Sequence, residues 1–189
     1  MKMHDKKLKL FSIYGKIADV LFILVVVLGS LATLAGIGAA IYLNSTNFDL
    51  AEVANFIFKN EIPGASLVLP ENIEISYSAI YVVVINMILS FALAAYGIKA
   101  VAKMFNGTVS EQTPFTENTV HCIKGIGAAF LIYSGTLCIL SLIAGLLAPN
   151  PSWSVTLNGG FILIGILVLA LGEMFSFGAS LQEDSESIL

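Results

Sequence analysis

The chain has 189 residues, of which 57% are hydrophobic and only 12% are charged. An ordinary soluble domain carries roughly a quarter charged residues, so this composition argues against a soluble fold and indicates a protein that lies in a membrane. The formal net charge is -4, and all nine basic residues are lysines. We therefore expect no direct nucleic-acid binding, which needs clustered basic side chains that contact phosphate.

The first apolar block runs from Val20 to Tyr42 without a charged residue. As a helix it would be about 35 Å long, enough to cross a hydrocarbon core of about 30 Å with some tilt. The lysine-rich start of the chain is also a feature of cleavable signal peptides. Because the apolar core of such a peptide is only about 7–15 residues long, we expect a retained membrane anchor.

Three further apolar blocks are long enough, or nearly so, to span a membrane. The predicted fold is therefore all-α, an integral membrane four-helix bundle that forms a single transmembrane domain over residues 1–189, with helices at about residues 18–43, 77–104, 117–147 and 154–178. Pro149-Asn150-Pro151 and its neighbours form the short connection between the third and fourth helices. So short a connection predicts an antiparallel hairpin.

Lysine placement predicts the orientation, because cytoplasmic loops are enriched in Lys and Arg near helix ends. Eight of the nine lysines lie on one side of the predicted bundle, and Lys59 lies on the other. We expect a multi-pass protein of the bacterial cytoplasmic (inner) membrane, with the lipid bilayer as a partner and both termini in the cytoplasm. Residues 44–76 then form an outer loop, and residues 179–189 form a cytoplasmic tail.

The outer loop contains an amphipathic pattern. Apolar residues recur there at helical spacing, at Leu50, Val53, Ala54, Ile57 and Phe58. Asp49 and Glu52 precede and accompany them as an N-terminal capping pair. The pattern predicts a short amphipathic helix, whereas residues 62–76 support no prediction of structure.

Two signals bound the segment between the second and third helices. Asn106-Gly107 is typical of a helix end, and Thr116 followed by Glu117 is typical of a helix start. We therefore expect an ordered loop between these positions, on the cytoplasmic side.

Small residues recur every four positions in the first helix, at Ala32, Gly36 and Ala40. Such a stripe lets another helix approach closely and pack by van der Waals contact. Whether that helix belongs to the same chain or to a second copy in a homo-oligomer is left open by the sequence, with packing inside the chain favoured.

Polar side chains also lie within the predicted spans, at Asn86, Ser90, Thr33 and Ser134. Buried polar groups need partners in hydrocarbon. They would either bind an ion or small solute, or form hydrogen bonds between helices. The second interpretation is favoured because no carboxylate, histidine or lysine lies at the predicted midplane, where an ion pathway usually has one.

The sequence contains no pattern typical of an enzyme. It has no nucleophile beside a base, no glycine-rich phosphate loop and no pair of catalytic carboxylates. Neither histidine has a second ligand at metal-binding spacing. We therefore expect no catalytic residue, no metal and no cofactor, and we expect that the protein is not an enzyme.

Two segments carry a resemblance to a known family. Residues Gly107 to Gly127 resemble a signature in which Pro-Phe-Thr is followed by Asn, by a basic residue and by Ile-Gly. The chain end, with Phe175, Gly178 and Leu181-Gln182-Glu183, resembles the closing motif of the same family. This family is the domain of unknown function 2975 family of bacterial four-helix membrane proteins.

The resemblance implies a partner, since members of the family look like membrane proteins encoded beside a small helix-turn-helix regulator. This would make the protein a membrane-held modulator of a small basic transcription regulator. The candidate partner-binding residues lie in the inner loop and the tail: Pro114, Phe115, Thr116, Glu183, Asp184 and Glu186. The alternatives are a small transporter or accessory subunit, and a sensor of envelope or lipid state.

Overall fold

The structure is a computed structural model that describes residues 2–46, 76–111, 113–148, 155 and 157–187. Within these residues the fold is all-α, as predicted, with no strand. The four helices are α1 (Lys2–Thr46), α2 (Tyr77–Glu111), α3 (Glu117–Leu146) and α4 (Gly159–Ser187). Most of the predicted outer loop, including its amphipathic helix, lies outside the described residues.

Each of the four helices is long enough and apolar enough to cross a membrane. This finding supports a multi-pass membrane protein. α1 has 45 residues, α2 has 35, α3 has 30 and α4 has 29. At about 1.5 Å per residue, α1 is roughly 67 Å long, about twice the thickness of a hydrocarbon core.

Proline placement explains why the helices are uninterrupted. A proline inside a helix removes a backbone hydrogen bond and clashes with the preceding turn. All five prolines lie outside the four helices, at Pro63, Pro70, Pro114, Pro149 and Pro151.

The predicted end of the second helix at Asn106-Gly107 is wrong, because α2 continues to Glu111. Two tertiary contacts explain the continuation. Asn106 Nδ2 lies 3.4 Å from Asp19 Oδ2 on α1. A Cβ at Gly107 would lie 3.2 Å from the side-chain amide of Asn118 on α3, so the glycine gives room to that amide. Packing against α1 and α3 therefore overrides the local stop signal.

The other helix ends also differ from the predicted positions. α1 begins at Lys2, whereas the apolar pattern placed its start near residue 18. α4 begins at Gly159 and ends at Ser187, so most of the predicted tail is the last turns of a helix. The physical reason is that hydropathy marks the apolar part of a helix, and polar residues extend the same helix beyond it.

The chain forms two compact units. Unit 1 comprises Met1–Val25, Leu93–Leu131 and Gly160–Leu189, and unit 2 comprises Val26–Ala92 and Ile132–Gly159. Each unit thus draws on segments that are far apart in the sequence.

In unit 1, α3 and α4 approach closely at two glycines. A Cβ at Gly127 would lie 2.9 Å from the backbone nitrogen of Leu169 and 3.0 Å from the carbonyl oxygen of Gly165. A Cβ at Gly165 would lie 2.8 Å from Leu131 and 3.1 Å from the carbonyl oxygen of Gly127. Only glycine leaves room for this backbone contact, which is the kind of approach that stabilises helix pairs in membranes.

In unit 2, the predicted small-residue stripe of α1 faces α2 in part. A Cβ at Gly36 would lie 2.9 Å from Met87 Cε and 3.5 Å from a methyl group of Val84. Ala40 is buried and Ala32 is half-buried. The neighbour of Gly36 is the flexible end of a methionine, so this approach is less tight than the one between α3 and α4.

Candidate functional site

The segment between α2 and α3 is tied to the end of α4. Thr113 donates a hydrogen bond of 2.6 Å to the side-chain oxygen of Gln182, and its hydroxyl oxygen accepts one of 3.2 Å from the backbone N–H of Phe115. One side chain thus orders the connection and fixes it against α4. Gln182 belongs to the closing motif noted in the sequence, so the two signature segments meet in space.

Thr116 caps the start of α3. Its hydroxyl oxygen accepts a 3.1 Å hydrogen bond from the backbone N–H of Thr119, which satisfies one of the unpaired donors at the helix start. The same hydroxyl donates a 2.9 Å bond to the hydroxyl of Thr119, and both side chains are buried. The predicted helix start is therefore present, with Glu117 in the first turn.

Phe115 holds the connection against α4 by an aromatic contact. Its ring centroid lies 5.5 Å from that of Phe175, with an angle of 40° between the rings. A Cβ at Gly178 would lie 2.7 Å from the Phe115 ring, so the missing side chain of this glycine leaves the space that the ring fills. Phe115 as a whole remains 41% exposed, so part of its surface is accessible to a ligand.

These contacts border a groove in unit 1 with a volume of about 540 Å³. Ligand sites in proteins commonly measure about 300–1,000 Å³. The described lining residues come from the end of α2, the connection, the start of α3 and the end of α4: Glu111, Thr113, Phe115, Thr116, Glu117, Val120, Ser176, Ala179, Ser180, Gln182 and Glu183.

The groove is acidic. Three of its lining side chains are carboxylates, at Glu111, Glu117 and Glu183, and all three residues are exposed. No lysine or histidine is among the lining residues in the part of the chain that the structure describes. The lining therefore offers negative charge, hydroxyl groups and one aromatic ring, a combination that suits a basic ligand.

The candidate partner-binding residues divide between the groove and its surroundings. Phe115, Thr116 and Glu183 line the groove. Pro114 and Asp184 are exposed and are not among its lining residues. Glu186 lies on α4, but its side chain is outside the described residues.

Two carboxylates of the groove escaped the sequence analysis. Glu111 was expected in a loop, and Glu117 was noted as a helix-start residue and not as part of a site. The sequence feature that could have identified them is that Glu111 and Glu117 flank the Pro114-Phe115-Thr116 motif. Their proximity to Glu183 depends on the packing of three helices, which periodicity alone does not predict.

A separate polar cluster lies in unit 2. The Tyr133 hydroxyl lies 2.6 Å from Ser90 Oγ and donates a 3.1 Å hydrogen bond to Asn86 Oδ1. Ser90 also donates to the backbone oxygen of Asn86, at 2.8 Å. Asn86 is fully buried. Tyr133, which the sequence analysis did not single out, thus links α3 to both predicted polar residues of α2.

The other two predicted intramembrane polar residues lie apart from this cluster. Thr33 donates a 2.7 Å hydrogen bond to the backbone oxygen of Gly29 within its own helix. Ser134 is buried and donates a 3.5 Å hydrogen bond to the backbone oxygen of Asn158. Through Tyr133, Asn86 and Ser90 take part in hydrogen bonding between α2 and α3.

Comparison with known proteins identifies the family. A family model described as "Protein of unknown function (DUF2975)" matches residues 59–188, which include α2, α3, α4 and the whole groove. The chain therefore belongs to this family, and the resemblance read from its two motifs is confirmed. No curated protein and no solved structure matches the chain significantly.

Proposed function

We propose that this member of the DUF2975 family is a bacterial inner-membrane protein that holds a basic cytoplasmic partner in the acidic groove of unit 1. The partner that fits the proposal best is a small helix-turn-helix transcription regulator. The role assigned to the protein is binding and not catalysis. The observation that carries the proposal is the groove itself, with three carboxylates beside an exposed phenylalanine.

The charge and the rigidity of the groove both support a binding role. A surface of one charge sign steers and selects partners of the opposite sign. The Thr113–Gln182 hydrogen bond and the Phe115–Phe175 contact hold the groove in shape. A groove held in shape before binding lowers the entropy cost of association.

The lysine distribution supports a cytoplasmic position for the groove. The groove belongs to unit 1, and eight of the nine lysines of the chain also belong to this unit. Cytoplasmic segments next to membrane helices are enriched in lysine. Both termini and the groove then share the side on which a transcription regulator is found.

The consequence for the regulator is competition with DNA. A DNA-binding domain uses its lysines and arginines to contact phosphate, and this contact contributes a large share of its affinity. Carboxylates in the groove would pair with the same side chains. Capture at the membrane would therefore keep the regulator from its operator.

The experiment measures membrane recruitment of a small basic helix-turn-helix regulator, fused to a fluorescent protein. The regulator to test first is one encoded beside this gene, as the family resemblance implies. We expect the full-length membrane protein to recruit it. The triple variant Glu111→Gln, Glu117→Gln and Glu183→Gln should weaken recruitment about tenfold, because three exposed charge pairs of about 0.5 kcal/mol each add up to about 1.5 kcal/mol. Glu173→Gln is the control for loss of a carboxylate on α4, since Glu173 is exposed and lies outside the groove lining, and it should leave recruitment unchanged.

Two outcomes would contradict the regulatory role. One is a regulator that stays in the cytoplasm beside the unaltered protein. The other is unchanged transcription of the neighbouring operon when the whole gene is deleted. Either result would favour the alternatives, a small transporter or accessory subunit, or a sensor of envelope or lipid state.

A further inference from the structure

The first turns of α1 carry a second charged surface, opposite in sign to the groove. Lys6, Lys9 and Lys16 are all exposed. None of the three forms an ion pair with a described side chain, whereas Lys99 pairs with Asp19 and Lys124 pairs with Glu173 at 2.9 Å each. Their charge is therefore not neutralised within the described part of the protein.

These three lysines share one face of the helix. At 3.6 residues per turn, Lys9 and Lys16 are almost two full turns apart, and Lys6 lies about 60° around the helix axis from Lys9, on the same half of the helix surface. The face that packs on α2 is the other one. Phe11 stacks on Phe105 at 5.8 Å, and Gly15 and Ala18 are buried. The two faces are roughly 160° apart around the helix axis.

Apolar side chains continue the lysine face toward the predicted span. Ile17 is 49% exposed and Val20 is 64% exposed. Together with Lys16 and Leu21, they line a shallow groove of about 260 Å³ on the outer surface of α1. Lys16 thus lies at one end of an apolar groove, about one turn before the uncharged segment of α1, which begins at Val20 after Asp19.

We propose that this lysine face, Lys6, Lys9 and Lys16 with the groove of Ile17, Val20 and Leu21, binds the headgroups and upper acyl chains of anionic phospholipids in the surrounding bilayer. The charges are complementary, since clustered lysines next to a membrane helix attract anionic lipid. The order along the helix also fits a lipid. Cationic side chains come first and an apolar groove follows, as a headgroup is followed by its acyl chains.

The lysine face of α1 does not contact the acidic groove of the same chain. It points away from the packed side of α1 and is not covered by another described segment. The lipid contact therefore goes beyond the proposed regulatory role, and each stands without the other.

The test measures how purified full-length protein, reconstituted in phosphatidylcholine vesicles, associates with spin-labelled lipids. Motional restriction in electron paramagnetic resonance reports the bound lipid. One lysine at a membrane surface is worth about fivefold in association, so spin-labelled phosphatidylglycerol should bind at least about fivefold more strongly than spin-labelled phosphatidylcholine. The preference should fall in high salt, which screens the charges.

Variants assign the preference to the lysine face. Lys6→Gln, Lys9→Gln and Lys16→Gln together should remove most of the preference for phosphatidylglycerol, while Lys6→Arg, Lys9→Arg and Lys16→Arg together should keep it. Labelled lipid occupies both leaflets, so the orientation of the protein in the vesicle does not affect the comparison. Thermal unfolding of each variant checks that the fold is retained.

Three outcomes would overturn the proposal. The first is equal association of the two lipids with the unaltered protein. The second is an unchanged preference in a folded glutamine variant. The third is loss of the preference when inorganic phosphate is added at the headgroup concentration with ionic strength held constant, which would assign the lysines to free phosphate and not to lipid.

Discussion

Unit 1 contains segments of all four helices, whereas unit 2 contains segments of α1, α2 and α3 and only the first residue of α4, and the two units differ in their contacts. The described part of unit 2 contains no charged residue, and its fully buried Asn86 accepts a hydrogen bond from Tyr133. Unit 1 contains both ion pairs of the described structure, the groove and the lysine face of α1. In the described part of unit 2, Asn86 and Ser90 join α2 to α3 through Tyr133. Unit 1 has exposed carboxylates in its groove and exposed lysines on α1, and these are the groups that our two proposals assign to partners.

A substitution in the close contact between α3 and α4 should have the largest effect on stability, and it tests the comparison of the two units. Gly127→Ala in unit 1 should lower the free energy of unfolding by about 2–3 kcal/mol, because the new methyl group meets backbone atoms that cannot move aside. The matched control is Gly135→Ala, on the same helix in unit 2, where nothing lies within 4 Å of the added Cβ. It should be neutral or stabilise by up to about 1 kcal/mol.

Thermal unfolding in mild detergent, followed by circular dichroism, measures both changes. Equal melting temperatures for Gly127→Ala and Gly135→Ala would show that the glycine contact does not contribute to the stability of unit 1.

The sequence predicted the number of helices and their apolar parts, because four blocks of apolar residues separated by polar segments leave few alternatives. It did not predict where the helices end. The continuation of α2 past Asn106 depends on Asp19, which is distant in the sequence. Only some of the residues that line the groove were predicted, because the others reach it through contacts between distant segments. Phe115 and Glu183 were identified from motifs, whereas Glu111 joins them only through helix packing.

Removal of the Tyr133 hydroxyl in unit 2 should have the next largest effect on stability. Tyr133→Phe removes the hydroxyl that contacts Ser90 and Asn86 and should lower the free energy of unfolding by about 1 kcal/mol. Tyr81→Phe is the control, since the Tyr81 side chain is exposed. The melting temperature of Tyr133→Phe should fall while that of Tyr81→Phe stays constant. A fall of the same size in both would mean that the cluster does not hold α2 to α3.

The ion pair between α3 and α4 gives the smallest effect. Lys124 and Glu173 are 2.9 Å apart, but their side chains are 37% and 72% exposed. Exposed pairs contribute less than about 1 kcal/mol, and salt screens them. A double-mutant cycle with Lys124→Gln and Glu173→Gln should therefore give a small coupling energy that falls as salt is added. A coupling above about 2 kcal/mol, insensitive to salt, would mean that charges hold unit 1 together as much as glycine packing does.

The most direct test of the account is the side of the membrane on which each unit is exposed. In a background with Cys122→Ala and Cys138→Ala, single cysteines are introduced by Ser180→Cys, in the groove of unit 1, and by Ser45→Cys, in unit 2. Both serines are exposed. In intact cells, a membrane-impermeant maleimide should label Ser45→Cys, and it should label Ser180→Cys only after the membrane is opened. Labelling of Ser180→Cys in intact cells would place the groove outside the cytoplasm and contradict the proposed role.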